Sequence, residues 1–178
     1  MTDKPKKPKT RTKATQHAAI EHVDFFGQTE RLGPLGLIRY AEFFLAAART
    51  TKAPDQAPNV PIVRAYLACH SLELAFKAFL ALKGELLSSL ADRNGHDLKF
   101  LIEEAEKNDL GTLVTLNDQQ RRQIIHASEY YVEKVFEYPA VSQMFGYPKM
   151  PDTDVLIAVA EALIGPLQEP CLNAARVG

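Results

Sequence analysis

The run Ile62-Val-Arg-Ala-Tyr-Leu-Ala-Cys-His70-Ser-Leu-Glu73-Leu-Ala-Phe-Lys77-Ala-Phe-Leu-Ala-Leu-Lys83 decides how this chain folds. It contains no glycine or proline, and wound at about 3.6 residues per turn it is apolar on most of its circumference. A helix of that kind sits among other helices instead of lying on a surface. Gly84 follows and supplies its C-terminal stop. His70, Glu73 and Lys77 interrupt the apolar pattern, and the spacing i, i+3, i+7 puts all three on one narrow stripe.

Reading outward toward the N-terminus, Pro54, Pro58 and Pro61 mark a loop. Before it, Leu37, Ile38, Tyr40, Ala41, Phe44, Leu45 and Ala48 recur at helical spacing and predict a helix over 35–51. Gly33, Pro34 and Gly36 are expected to break the chain there, and a first amphipathic helix is expected over 15–28.

Toward the C-terminus, Asn94-Gly95 reads as a turn. A short helix follows, from His96 or Asp97 to Lys107, with Asp97 or Asn94 as its cap. Residues 111–116 are strand-like but have no partner strand, so they read as loop. Asn117-Asp118-Gln119-Gln120 fits a capping box that opens a helix to about Phe136. An irregular aromatic stretch carries the pattern F-x-Y-P twice, at Phe136–Pro139 and Phe145–Pro148. It reads as self-packing chain, or as a lid or base-stacking surface. The last helix starts near Asp152 to Asp154, and Gly165-Pro166 should kink or interrupt it. The expected fold is all-α, an antiparallel bundle of five or six helices with almost no strand.

Composition fits one domain of 178 residues. Residues 1–14 carry six basic side chains against one acid and almost nothing apolar, so they read as a disordered basic tail. With the tail at +5 and the whole chain at −1, the domain over 15–178 carries −6, a poor balance for broad binding to a nucleic-acid backbone. Two cysteines without a C-x-x-C pair argue against a disulfide framework and for the cytoplasm. There is no signal-peptide pattern and no unbroken run of eighteen apolar residues, so no membrane contact is expected.

Three constellations could carry chemistry. The His70–Glu73–Lys77 stripe is either a polar seam that fixes helix register or part of a ligand site, with Glu73 and Lys77 in the stabilising order for an i,i+4 ion pair. Arg121 and His126 combine a phosphate-binding fork with a group that titrates near neutrality, as metal-independent RNA cleavage would need. On one unbroken helix, however, they would point about 140° apart, whereas Arg122 and His126 would share a face. Arg64 and His70 form a second such pair. The aromatic stretch is the third. No metal site is expected, since His17, His22 and Asp24 lack the paired spacing of zinc ligands, and no cofactor motif is present.

His70-x-x-Glu73-x-x-x-Lys77-Ala-x-Leu, the glycine at Gly84 and the later Gly95-His96-Asp97-Leu98 together resemble one branch of the HEPN family of helical bundles. Tyr130-Tyr131 and Tyr138-Pro139 are similar to a tyrosine-containing helix and Y-P pair in that branch, and the resemblance spans roughly residues 35–165. It implies a bundle of four or five helices, commonly dimeric, that acts either as an RNase or as a non-catalytic binding module. Catalytic members carry arginine, four to six residues, then histidine, a spacing that Arg121 and His126 match. They usually have a small polar residue after the arginine, where this chain has Arg122, and the G-H-D-L branch does not generally depend on that motif. The leading expectation is therefore a homodimeric binding module for a nucleotide, an RNA or a protein partner, with His70, Glu73, Lys77, His96 and Asp97 at its site. The alternatives are an endoribonuclease using Arg121 and His126 across a dimer, and a structural subunit of a larger complex.

Overall fold

The computed structural model describes residues 33–51, 60–86, 96–138 and 150–177. Among them are five α-helices, one short 3-10 turn and no strand. The basic tail, the expected helix over 15–28, the Asn94-Gly95 turn and the second F-x-Y-P repeat lie outside the described residues.

Helix α1 spans Pro34–Thr50, one residue earlier than expected, and takes in Pro34 and Gly36. Proline suits the first position of a helix, where its missing N–H leaves no bond unmade, and extended Gly33 forms the N-cap. Helix α2 spans Val60–Leu82, with Pro61 likewise in its first turn. Its end is the one expected at Gly84, which adopts φ +92°. The Gly84 amide donates to Ala81 O at 3.1 Å and the Glu85 amide to Leu80 O at 3.0 Å, the paired bonds that close a helix on a left-handed residue.

Helix α3 spans Leu98–Lys107, and its cap is Asp97, whose carboxylate accepts from the Lys99 and Phe100 amides. After a 3-10 turn at Leu110–Thr112, α4 spans Asp118–Val132. The capping box is complete: Asn117 Oδ1 accepts from the Gln120 amide at 2.9 Å, and Gln120 Oε1 from the Asn117 amide at 3.0 Å. This helix stops four residues short of Phe136. Lys134 takes φ 56°, and the Lys134 and Val135 amides return to Tyr131 O and Tyr130 O, closing α4 as Gly84 closes α2.

Helix α5 spans Thr153–Val177 and runs on through Gly165, Pro166 and Pro170, so the expected interruption does not occur. The two prolines stand four residues apart on the exposed side of the helix. Leu163, Ile164, Leu167 and Cys171 continue the buried stripe on the other side.

Cross-helix bonds fix the directions. Ser71 Oγ donates to Ala41 O and Arg64 Nε to Ala48 O, so α1 and α2 are antiparallel. Glu42 meets Gln168 and Arg49 meets Glu161, so α1 and α5 are antiparallel. Asp97 meets Ser128 and Glu106 meets Arg121, so α3 and α4 are too. Helix α2 packs against all four others and supplies Leu72, Phe76 and Leu80 to the fully buried core. Both α2, over Ile62–Leu82, and α5, over Thr153–Arg176, are long and apolar enough to cross a membrane, although no unbroken apolar run marked them in the sequence. The central helix of a bundle shares that character, and 61% of the apolar window in α2 is buried inside this one.

Candidate functional site

The polar stripe on α2 lies where α2, α4 and the entry to α3 converge. Glu73 stands at its centre with a side chain only 2% exposed. A buried carboxylate needs donors, and this one has them on both oxygens. Lys77 Nζ lies 2.5 Å from Oε1. On Oε2, the Tyr131 hydroxyl donates at 2.6 Å and His96 Nδ1 lies at 3.1 Å. His70 Nδ1 is 3.4 Å from the same oxygen and 2.6 Å from the Tyr131 hydroxyl oxygen.

Burial is the largest single influence on Glu73 and pushes its pKa up. The hydrogen bond from His70, the charge and bond of Lys77 and the bond from Tyr131 together outweigh it and bring the carboxyl down to about 2. The anion is therefore the resident form. For Tyr131, burial first and the Glu73 charge second push the phenol far up, so it stays protonated and serves as a donor.

These facts fix the hydrogens on the two imidazoles. A carboxylate only accepts, so His96 Nδ1 must carry its hydrogen. The single hydroxyl hydrogen of Tyr131 goes to Glu73, so its oxygen accepts from His70, whose Nδ1 also carries a hydrogen. In both rings Nε2 is the nitrogen away from these contacts, and among the described residues no protein group bonds to it. His70 is 23% exposed and His96 71%. Around them stand Phe44, edge-on to His70 at 4.3 Å, and Tyr66, parallel to His70 with ring centroids 6.1 Å apart.

The structure thus brings His70, Glu73, Lys77 and His96 together and assigns Asp97 elsewhere. Asp97 caps α3 and accepts from Ser128 Oγ at 2.7 Å, while Ser128 accepts from the Lys99 amide, which ties α3 to α4. Tyr131 was missed from the sequence as the centre's hydroxyl donor. Its signal was there: Ile124, Ala127, Ser128 and Tyr131 form the buried stripe of α4, and a buried tyrosine hydroxyl calls for a partner. Phe44 and Tyr66 looked like ordinary apolar positions.

Arg121 and His126 are not joined by any hydrogen bond, ion pair or ring contact within the chain. They lie on unbroken α4, and five residues at about 100° each set them about 140° apart. The Arg121 guanidinium lies across Glu106 of α3, with contacts of 3.0 to 3.2 Å. His126 is edge-on to Tyr130 at 5.5 Å. Arg64, which pairs with His70 by sequence spacing, meets Asp154 instead, at 2.7 Å. Phe136, from the first F-x-Y-P repeat, is buried and stacks on Tyr130, whereas Tyr138 is exposed. Cys69 and Cys171 are free and buried. A groove of about 310 Å³ between α1 and α5 has none of the expected site residues on its walls, and ion and hydrogen-bond pairs between Arg49 and Glu161 and between Glu42 and Gln168 span it. Among the described residues no cluster of three or more His, Cys, Asp or Glu could hold a metal ion.

Comparison with known proteins gives no matching family model, curated protein or solved structure.

Proposed function

We propose that the chain is a HEPN-like, homodimeric, non-catalytic binding module for a nucleotide or RNA, with its ligand face at the Glu73 centre. One observation carries this reading: a buried, ionised carboxylate and its tyrosine hold the Nδ1 side of two partly exposed imidazoles, which leaves Nε2 of each without a protein partner among the described residues. A seam that only fixed helix register would have no use for His96, which is 71% exposed yet held to Glu73. The neighbouring rings of Phe44 and Tyr66 suit a ligand with an aromatic base. Glu73 is buried beneath His70, His96 and Lys77, so its charge is met by these side chains and by Tyr131 and is not presented to a phosphate-bearing ligand.

The reading is tested by fluorescence anisotropy with short labelled RNAs and a panel of nucleotides, comparing wild type with His70→Ala/His96→Ala. At least about a tenfold loss of affinity is expected in the double variant. A wild type that binds none of these, or a folded variant that binds as well, would overturn it. A protein captured specifically through His96 would replace the nucleotide with a protein partner. Light scattering tests the dimer.

A further inference from the structure

Resting on that reading of the site, we propose that the phosphoryl group of the ligand docks on the Nε2 edges of His70 and His96 and that the site takes up protons as it binds. Both Nδ1–H groups are already committed, that of His96 to Glu73 and that of His70 to the Tyr131 hydroxyl. Any further proton must therefore go to Nε2, the nitrogen without a protein partner among the described residues, and turns it from an acceptor into a charged donor. Two such N–H groups on neighbouring rings, backed by a common anion, form a charge-assisted clamp for phosphate oxygens. The same arrangement of neutral imidazoles with Nδ1–H on a carboxylate would also serve a metal ion. For a metal ion, however, no third ligand joins the two rings among the described residues.

The groups that face the histidines set the sign of the pH dependence. On α2 these are Glu73, Lys77 and Tyr66. On α4 there is Tyr131, and just past α4 the Glu137 charge bears on Tyr66. Helix α1 contributes the ring of Phe44, which does not ionise. Glu73 stays an anion and Tyr131 stays protonated, so neither of them takes up or gives up the proton that accompanies the ligand. If a proton is taken up on Nε2 as the phosphoryl group docks, phosphate affinity should rise as pH falls, by up to about tenfold per pH unit for each proton taken up.

The test is calorimetric titration of the full chain with adenosine 5′-monophosphate, adenosine and inorganic phosphate in EDTA, at about pH 5.5 and 8.5. Repeating each titration in buffers of different ionisation enthalpy counts the protons. Adenosine monophosphate should bind at least about tenfold more tightly at the lower pH with net proton uptake, while adenosine changes less than about twofold. His96→Gln, at an exposed position, should reduce the proton uptake and the advantage of the monophosphate over adenosine. If inorganic phosphate shows the same pH dependence alone, the clamp serves free phosphate as well as the nucleotide. Equal, pH-independent binding of adenosine and its monophosphate would overturn the phosphate clamp and leave the nucleotide reading standing. If none of the three binds at either pH, the phosphate clamp falls, and the anisotropy measurement with RNAs and the nucleotide panel decides whether the binding reading falls with it.

Discussion

Among the described residues, Glu73 is the one charged side chain that is fully buried, and the rest of the site is arranged around its charge. Unfolded, the carboxyl titrates at its ordinary 4.5; folded, at about 2. A lowered folded-state value means that the ionised form stabilises the fold above pH 4.5 and that this contribution is lost as pH falls from 4.5 toward 2. The size is on the order of 3 kcal/mol. Glu73→Gln should lose about that much stability at neutral pH in denaturant unfolding. The gap from wild type should then narrow between about pH 5 and 2; a constant gap would show that the charge is not the source. Tyr131→Phe, which removes the hydroxyl between Glu73 and His70, should cost about 1–2 kcal/mol. The stripe of His70, Glu73 and Lys77 was legible because helical spacing alone aligns it. Tyr131 was not, because it lies 58 residues from Glu73 and only packing brings the two together.

At the scale of the elements, local chemistry was read well wherever a residue type carries a backbone preference. Gly84 ends α2, Asp97 caps α3, and Asn117 with Gln120 opens α4, all as expected. The end of α4 was misplaced because a lysine, not a glycine, occupies the left-handed position there. A side chain pays for that conformation by roughly 1–2 kcal/mol. Lys134→Gly should therefore stabilise the protein by about 1 kcal/mol, read as a higher denaturation midpoint at unchanged slope. Gly84→Ala should do the reverse, and through backbone strain alone, since an added Cβ there would meet nothing within 4 Å. Pro34 and Pro166 misled for a related reason: proline breaks a helix interior by its missing bond, and here one stands in a first turn and the other on a solvent-facing side.

For the whole molecule, the all-α class and the antiparallel neighbours followed from periodicity and short connections, and α2 is the central helix that the opening stretch implied. Which polar residues would meet was only half legible, since His96 reaches Glu73 while Asp97 turns to Ser128. The bundle also separates the two candidate chemistries. Arg121 is a surface partner of Glu106, so Arg121→Ala should change stability by no more than about 1 kcal/mol. Wild type should leave a mixed RNA pool intact in EDTA; cleavage that disappears in His126→Ala would put the active site on α4 instead. The most direct measurement is the imidazole nitrogen NMR spectrum of the full chain, with its five histidines assigned, recorded before and after addition of adenosine 5′-monophosphate. The expected result is Nδ1–H tautomers at His70 and His96 in the free protein, with the nucleotide shifting Nε2 of both and leaving His126 unmoved. Nε2–H tautomers, or a response confined to His126, would contradict it.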